Sequence, residues 1–141
     1  MSGAFDLQRF LEAQNPVYAR VCSELRAGRK QSHWMWFVFP QIAGLGRSAM
    51  ADKYAIASLD EAKAYLAHPV LGARLRECTE LVLNIAGKTA VEIFDYPDDL
   101  KFRSSMTLFA QAAPDEAIFA EAVKKYFGGV FDKVTLLELR P

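Results

Sequence analysis

Cysteine and histidine are scarce in this chain, with two of each in 141 residues. Cys22, Cys78, His33 and His68 are too few and too scattered for a zinc site, whose ligands come in tight clusters. No metal or cofactor is therefore expected. Both cysteines fall on helical patterns among apolar neighbours, so buried free thiols are expected rather than a disulfide or a reactive nucleophile. A basic excess is missing too: seventeen Lys and Arg balance seventeen Asp and Glu, which argues against a nucleic-acid coat. No apolar run approaches the length needed to cross a membrane. The start, Met1 to Asp6, has neither a basic region nor an apolar stretch, so no signal peptide is expected and the cytoplasm is the expected compartment.

What is present is the composition of a packed globule. Hydrophobic residues make up 52% and charged residues 24%, proportions that exclude disorder. The length suits one domain, residues 1–141, burying about two thirds of its unfolded surface. The charges are unevenly spread. Residues 28–53 hold Arg29, Lys30, Arg47 and Lys53 against one acid, Asp52. Residues 89–122 hold seven acids, with Lys101 and Arg103 as the basic residues.

Helix punctuation is dense. Asp6 precedes an apolar face of Leu7, Phe10 and Leu11. Asn15-Pro16 reads as an N-cap followed by proline, opening a helix that carries Val21 and Leu25 and ends at Gly28. The run His33–Phe39, stopped by Pro40, fits either a buried helix or a buried strand, and a short helix capped by Ser32 is the preferred reading. Pro40–Ser48 reads as a glycine-containing loop, with a weak helical turn after it. Ser58–Glu61 and Thr89–Glu92 read as capping boxes. His68-Pro69 is expected to start the longest helix, with Leu71, Leu75, Cys78 and Val82 in one stripe. Pro97-Asp98-Asp99 opens a helix with Leu100, Leu108 and Phe109 inward. Asp115–Phe127 forms the next, and Asp132 caps a last turn. The expected fold is all-α: one compact domain of about eight helices.

Three segments concentrate the polar chemistry. The first is His33, Trp34, Trp36 and Gln41. Tryptophan stacks on planar ligands, and an imidazole moves protons near neutral pH. On a helix Trp34 and Trp36 cannot face one pocket, whereas on a strand they align. Their ordinary alternative is core packing. The second is the helix start at Lys101, Arg103, Ser104 and Ser105. There, unpaired N–H groups and the helix dipole favour an anion. Its ordinary alternative is plain capping, with the serines bonding back into their own helix. The third is the loop around Gly44-Leu45-Gly46-Arg47, where glycines allow close backbone approach and Arg47 can grip an anion. Its alternative is a tight inter-helix turn.

The stretch Ser32-His33-Trp34-Met35-Trp36-Phe37-Val38-Phe39-Pro40-Gln41 resembles the bacterial and fungal family catalogued as domain of unknown function 1810. So do Tyr54-Ala55-Ile56, Glu61 to Leu66, Asp99 to Phe109 and Lys125 to Gly129. The resemblance spans nearly the whole chain and implies a small helical fold. A shorter pattern is similar to the NADAR family, which acts on N-glycosidic bonds in ribose-linked compounds. It consists of Ser32-His33, then Ser58 to Lys63, then Lys101-Phe102. Ser32 stands where that family's pattern has glutamate.

Together these readings give an expected function: binding, and in its most specific form N-glycosidic hydrolysis, of a small phosphate- or ribose-containing ligand. Whether the chain is an enzyme stays open. Trp34 or Trp36 would stack the planar group. Gln41, Arg47, Lys101, Arg103, Ser104 and Ser105 would hold the ligand, and His33, with Lys63 as a second candidate, would handle a proton. The alternative is a non-catalytic interaction module that docks a partner through an exposed aromatic or apolar surface. Both allow a homodimer.

Overall fold

The computed structural model describes residues 5–140. Residues 1–4, on which the expectation of a leaderless N-terminus partly rests, lie outside the described residues. Among the described residues there are ten helices and one isolated parallel bridge, Ile42 to Ile56. The helices are α1 (Gln8–Gln14), α2 (Tyr18–Arg26), α3 (Met35–Val38), α4 (Ala49–Lys53), α5 (Leu59–Ala67), α6 (Leu71–Leu83), α7 (Ala90–Phe94), α8 (Asp98–Ala112), α9 (Ala117–Phe127) and α10 (Lys133–Glu138). The count exceeds the expected eight because two short turns, the apolar α3 and the more polar α4, fold as helices of only four and five residues.

Helix α8 is the axis. It packs against α9, α5, α7, α10 and α3, while α6 closes a second layer over α5, α9 and α2. A helix so surrounded must bury nearly all its faces. Phe102, Met106, Leu108 and Phe109 are fully enclosed. Its polar residues are accommodated by bonding back into the helix: Thr107 Oγ1 donates to the Arg103 carbonyl at 2.8 Å and Ser104 Oγ lies 3.1 Å from the Leu100 carbonyl. The N-terminal half of α8 packs into an aromatic nest of Phe39, Phe94 and Phe102, with ring centroids 4.8–6.0 Å apart.

Several boundaries differ from expectation for local reasons. Asn15 ends α1 instead of starting α2, which begins at Tyr18. The Thr89–Glu92 capping box forms in full. At Ser58 only half of one forms. Ser58 accepts from the Glu61 N–H, but the Glu61 carboxylate takes the Ala57 N–H and pairs with Arg9 at 3.1 Å. His68 ends α5, and its Nδ1 accepts from the N–H groups of Val70 and Leu71, so α6 starts at Leu71. The longest helix is α8, with 15 residues, not α6, with 13. Cys22 and Cys78 are free and buried, as expected. Their surroundings are less apolar than expected, since Cys22 Sγ lies 3.8 Å from Glu77 and Cys78 Sγ 3.8 Å from the Tyr18 hydroxyl.

Two connections bring the polar segments near one another. Residues 39–48 link α3 to α4. Asp95, with φ of 63°, and the cis Tyr96–Pro97 bond turn the chain from α7 into α8.

Candidate functional site

The α3–α4 loop is held rigidly. The Gln41 carbonyl accepts from the Ile56 N–H and the Ile56 carbonyl accepts from the Ala43 N–H, both at 2.8 Å. Ile42 and Ile56 are buried beside these bonds. At Gly46 a β-carbon would come within 2.5 Å of the Ala51 β-carbon, so only glycine lets the loop lie this close to α4. Ser48 then caps α4 by accepting the Ala51 N–H at 3.0 Å. The two-glycine segment is thus a close-packed support.

Opposite this loop stand the first turns of α8 and the start of α10. Between them is a cleft of about 440 Å³, lined by Trp36, Gln41, Arg47, Lys101, Ser104 and Asp132, with the part-exposed Leu100 and Val134 beside them. A smaller recess of about 130 Å³ adjoins it behind Trp36 and Gln41 and reaches Ile42 and Tyr54. The three polar segments of the sequence therefore do meet. Trp36 from the first, Arg47 from the third and Lys101 with Ser104 from the second face one space.

Its electrostatics turn on Asp98. One carboxylate oxygen pairs with Lys30 at 2.9 Å and the other with Lys101 at 3.3 Å. Each lysine lies against a tryptophan: Lys30 Nζ is 5.2 Å from the Trp34 ring centre and Lys101 Nζ 5.0 Å from that of Trp36. Such cation–aromatic contacts hold both partners in place. Arg47 is exposed and forms no hydrogen bond or ion pair with the described residues. The cleft therefore carries one uncommitted guanidinium and one ammonium shared with Asp98.

Five residues expected at the site lie outside this cleft. His33 is exposed on the linker before α3 and does not line the cleft. Trp34 is 1% exposed and its indole N–H donates to Glu24 at 2.9 Å, so it belongs to the core. Lys63 is exposed on α5, away from the cleft. Arg103, two residues past Lys101, points elsewhere because neighbours two apart on a helix diverge. It donates to the carbonyls of Val130 (2.8 Å) and Phe131 (3.5 Å) and covers the Phe127 ring, tying the α9–α10 link to α8. Ser105 is fully buried, with its hydroxyl unpaired among the described residues. Ser32 does not cap α3. Trp34 holds that position, and the Ser32 hydroxyl donates to Glu24 at 2.6 Å. Leu100, expected inward, is 43% exposed.

Three carboxylates organise the region beyond what their sequence positions imply. Burial opposes ionisation of Glu24. The Ser32 hydroxyl, the backbone N–H groups of Gln31 and Ser32, and the Trp34 indole outweigh that opposition and draw its carboxyl down to about 2. Asp98, legible only as a helix-start charge, joins both lysines. Asp132, legible only as the cap of α10, also lines the cleft. Its place before a helical turn signals the cap, and nothing in the sequence signals the second position.

The fold and site define a class: a small all-helical domain with a polar, aromatic-walled cleft at the first turns of its central helix. The chain belongs to the family described as protein of unknown function (DUF1810), which it matches over residues 4–139. It is similar to the conserved hypothetical protein Rv1873 from Mycobacterium tuberculosis, known from a crystal structure at 1.38 Å. The two are 56% identical, the match covers 96% of each chain, and the TM-score is 0.95. No match arises among curated proteins. These descriptions name neither a ligand nor a reaction. No described helix is long and apolar enough to cross a membrane.

Proposed function

We propose that this protein binds a small phosphate-containing, nucleotide-like ligand in the cleft between the α3–α4 loop and the start of α8. One observation carries the reading: residues from three separate segments, Trp36, Arg47 and Lys101 among them, line one cleft of about 440 Å³, within the range typical of small-molecule sites. Arg47 and Lys101 hold the anion, Arg47 as a planar fork and Lys101 as a point charge. Trp36 offers its aromatic face to a planar group, and the Gln41 amide offers both a donor and an acceptor. Hydrolysis of an N-glycosidic bond is the most specific form of this reading. In that form the proton-handling group is not His33 or Lys63, which lie outside the cleft, but a group within it. The cytoplasm is the compartment the reading assumes, and a homodimer is compatible with it.

The test is thermal unfolding against nucleotides, ADP-ribose, NAD and inorganic phosphate. A ligand at 100 times its dissociation constant stabilises by about 2.7 kcal/mol, a readily measured shift for this size of domain. Arg47→Ala and Lys101→Ala should each reduce the shift. Arg103→Ala should leave it in place, because Arg103 serves the α9–α10 link. A panel without any shift ends the proposal.

A second reading, docking of a protein partner, draws on a different observation. Tyr96, Leu100, Val130, Val134 and Leu137 are 43–73% exposed, and two of them, Leu100 and Val134, border the cleft. Pull-down of a partner that Leu137→Lys abolishes, together with a flat ligand panel, would favour it.

A further inference from the structure

A cleft that served only to hold an anion would not be expected to carry a carboxylate on its wall, since like charges repel and the ligand's desolvation would be wasted. Asp132 is such a carboxylate. Its two oxygens are in different situations. Oδ2 accepts from the Thr135 N–H at 3.1 Å and from the Thr135 hydroxyl, and it lies 3.0 Å from the Ser104 hydroxyl. Thr135 is fully buried and Ser104 nearly so, and the Asp132 N–H is anchored on Thr107 at 3.0 Å. Oδ2 is thus filled, and the side chain is fixed by the groups around it. Oδ1 accepts nothing from the described residues, yet it is not sealed in the core, where the unpaired side-chain atoms are Asp99 Oδ1 and Ser105 Oγ.

We infer that Asp132 Oδ1 receives a hydroxyl of the ligand, so that the cleft is built for a sugar phosphate whose phosphate lies at Arg47 and Lys101 and whose hydroxyls lie at Asp132. This deepens the proposed function and rests on it. A fixed carboxylate oxygen with a free lone pair is a strong acceptor for neutral O–H donors and rejects a second anion at the same place. A ligand with its negative charge at one end and a diol further along satisfies both walls at once, whereas inorganic phosphate satisfies only one. Asp132 here is a specificity-determining residue. Capping α10 explains Oδ2, and it leaves Oδ1 without a role.

Isothermal titration of the full chain with adenosine 5′-monophosphate, its 2′,3′-dideoxy analogue and inorganic phosphate separates the two claims. Wild type should prefer the monophosphate over the dideoxy analogue by on the order of tenfold or more, the value of a charge-assisted hydrogen bond. Asp132→Asn keeps an oxygen to cap α10 and replaces the free acceptor with an N–H donor. It should bring the ratio close to one while leaving inorganic phosphate bound as well as before or better. If Asp132→Asn does not fold, Asp132→Ser, which also caps a helix, should give the same loss of preference. Equal affinity for the two nucleotides in wild type, or a preference that survives either variant, overturns the role of Asp132 while leaving the anion site standing. Absence of binding by all three probes overturns both.

Discussion

Trp34 and Trp36 stand two residues apart, and each has a lysine lying against its ring and shares, through that lysine, the same Asp98. Yet one is core and the other is a wall of the cleft. The difference comes from the last turn before α3. Trp34 is the residue at which the helix begins, with its indole directed back to Glu24. Trp36 lies one residue inside the helix, on the side facing the α3–α4 loop and the start of α8. The same side chain with the same kind of cation is structural where its N–H is buried on a carboxylate. It becomes available where its face borders open volume. Asp98 couples the two halves, because the ammonium group it holds on the core side fixes the carboxylate that positions Lys101 on the cleft side.

The comparison is broken most severely by Trp34→Ala. Removing a fully enclosed indole leaves a large void and strips Glu24 of a donor, so a loss of about 3–5 kcal/mol in stability is expected. Urea unfolding measures it, and a loss below about 1 kcal/mol would show that Trp34 is not the core member of the pair. Next comes Asp98→Asn. The Lys30 side chain is only 7% exposed, so its ammonium would lose its carboxylate in a nearly closed site, at a cost of about 1–3 kcal/mol. Because Lys101 loses its partner too, any ligand-induced shift should change in the same variant. A stability loss with an unaltered shift would uncouple the two halves.

A smaller effect, and one set by pH, comes from Glu24. Its folded pKa, about 2, lies below the ordinary 4.5. The group therefore stabilises the fold fully above about pH 4.5 and loses that contribution as pH falls from there towards 2. Melting curves between about pH 6 and pH 2 should show destabilisation in acid. Glu24→Gln, which cannot titrate, should start less stable and show a shallower decline. Parallel curves for the two proteins would remove Glu24 from the account of why Trp34 is held.

Much of this architecture is legible in the sequence, and the part that is not has a common cause. The Thr89–Glu92 box, Gly28 and the apolar stripe of α6 are local signals, and each stands where its spacing puts it. Polar side chains that look across the fold are different. Lys101 and Arg103 are equivalent as letters, two cations in an acidic stretch. The roughly 200° between them on a helix sends one into the cleft and the other to the Val130 carbonyl. Asp132 and Thr89 are both caps, but nothing in a capping pattern says that Asp132 also looks into open volume while Thr89 does not. His33 stands at the polar end of an aromatic run and has the chemistry of a proton carrier. Its position on the linker before α3 leaves it outside the cleft, because the chain turns inward only at Trp34.

The finest test of the comparison is Trp36→Ala. Trp36 is only partly buried, and its loss opens a space that already communicates with solvent, so little cavity cost is incurred. The expected change in stability is about 1 kcal/mol or less, several times smaller than for Trp34→Ala. Lys101 loses the ring that holds it and keeps Asp98, so the cation remains near the cleft while its position loosens. The thermal shift produced by a nucleotide should therefore shrink more than the shift produced by inorganic phosphate, which needs no aromatic face. Trp36→Phe, which keeps a ring without the indole's extent, should fall between the two. If Trp36→Ala instead costs as much stability as Trp34→Ala and leaves the nucleotide shift intact, both tryptophans are core, and the aromatic wall of the cleft has no part in recognising a ligand.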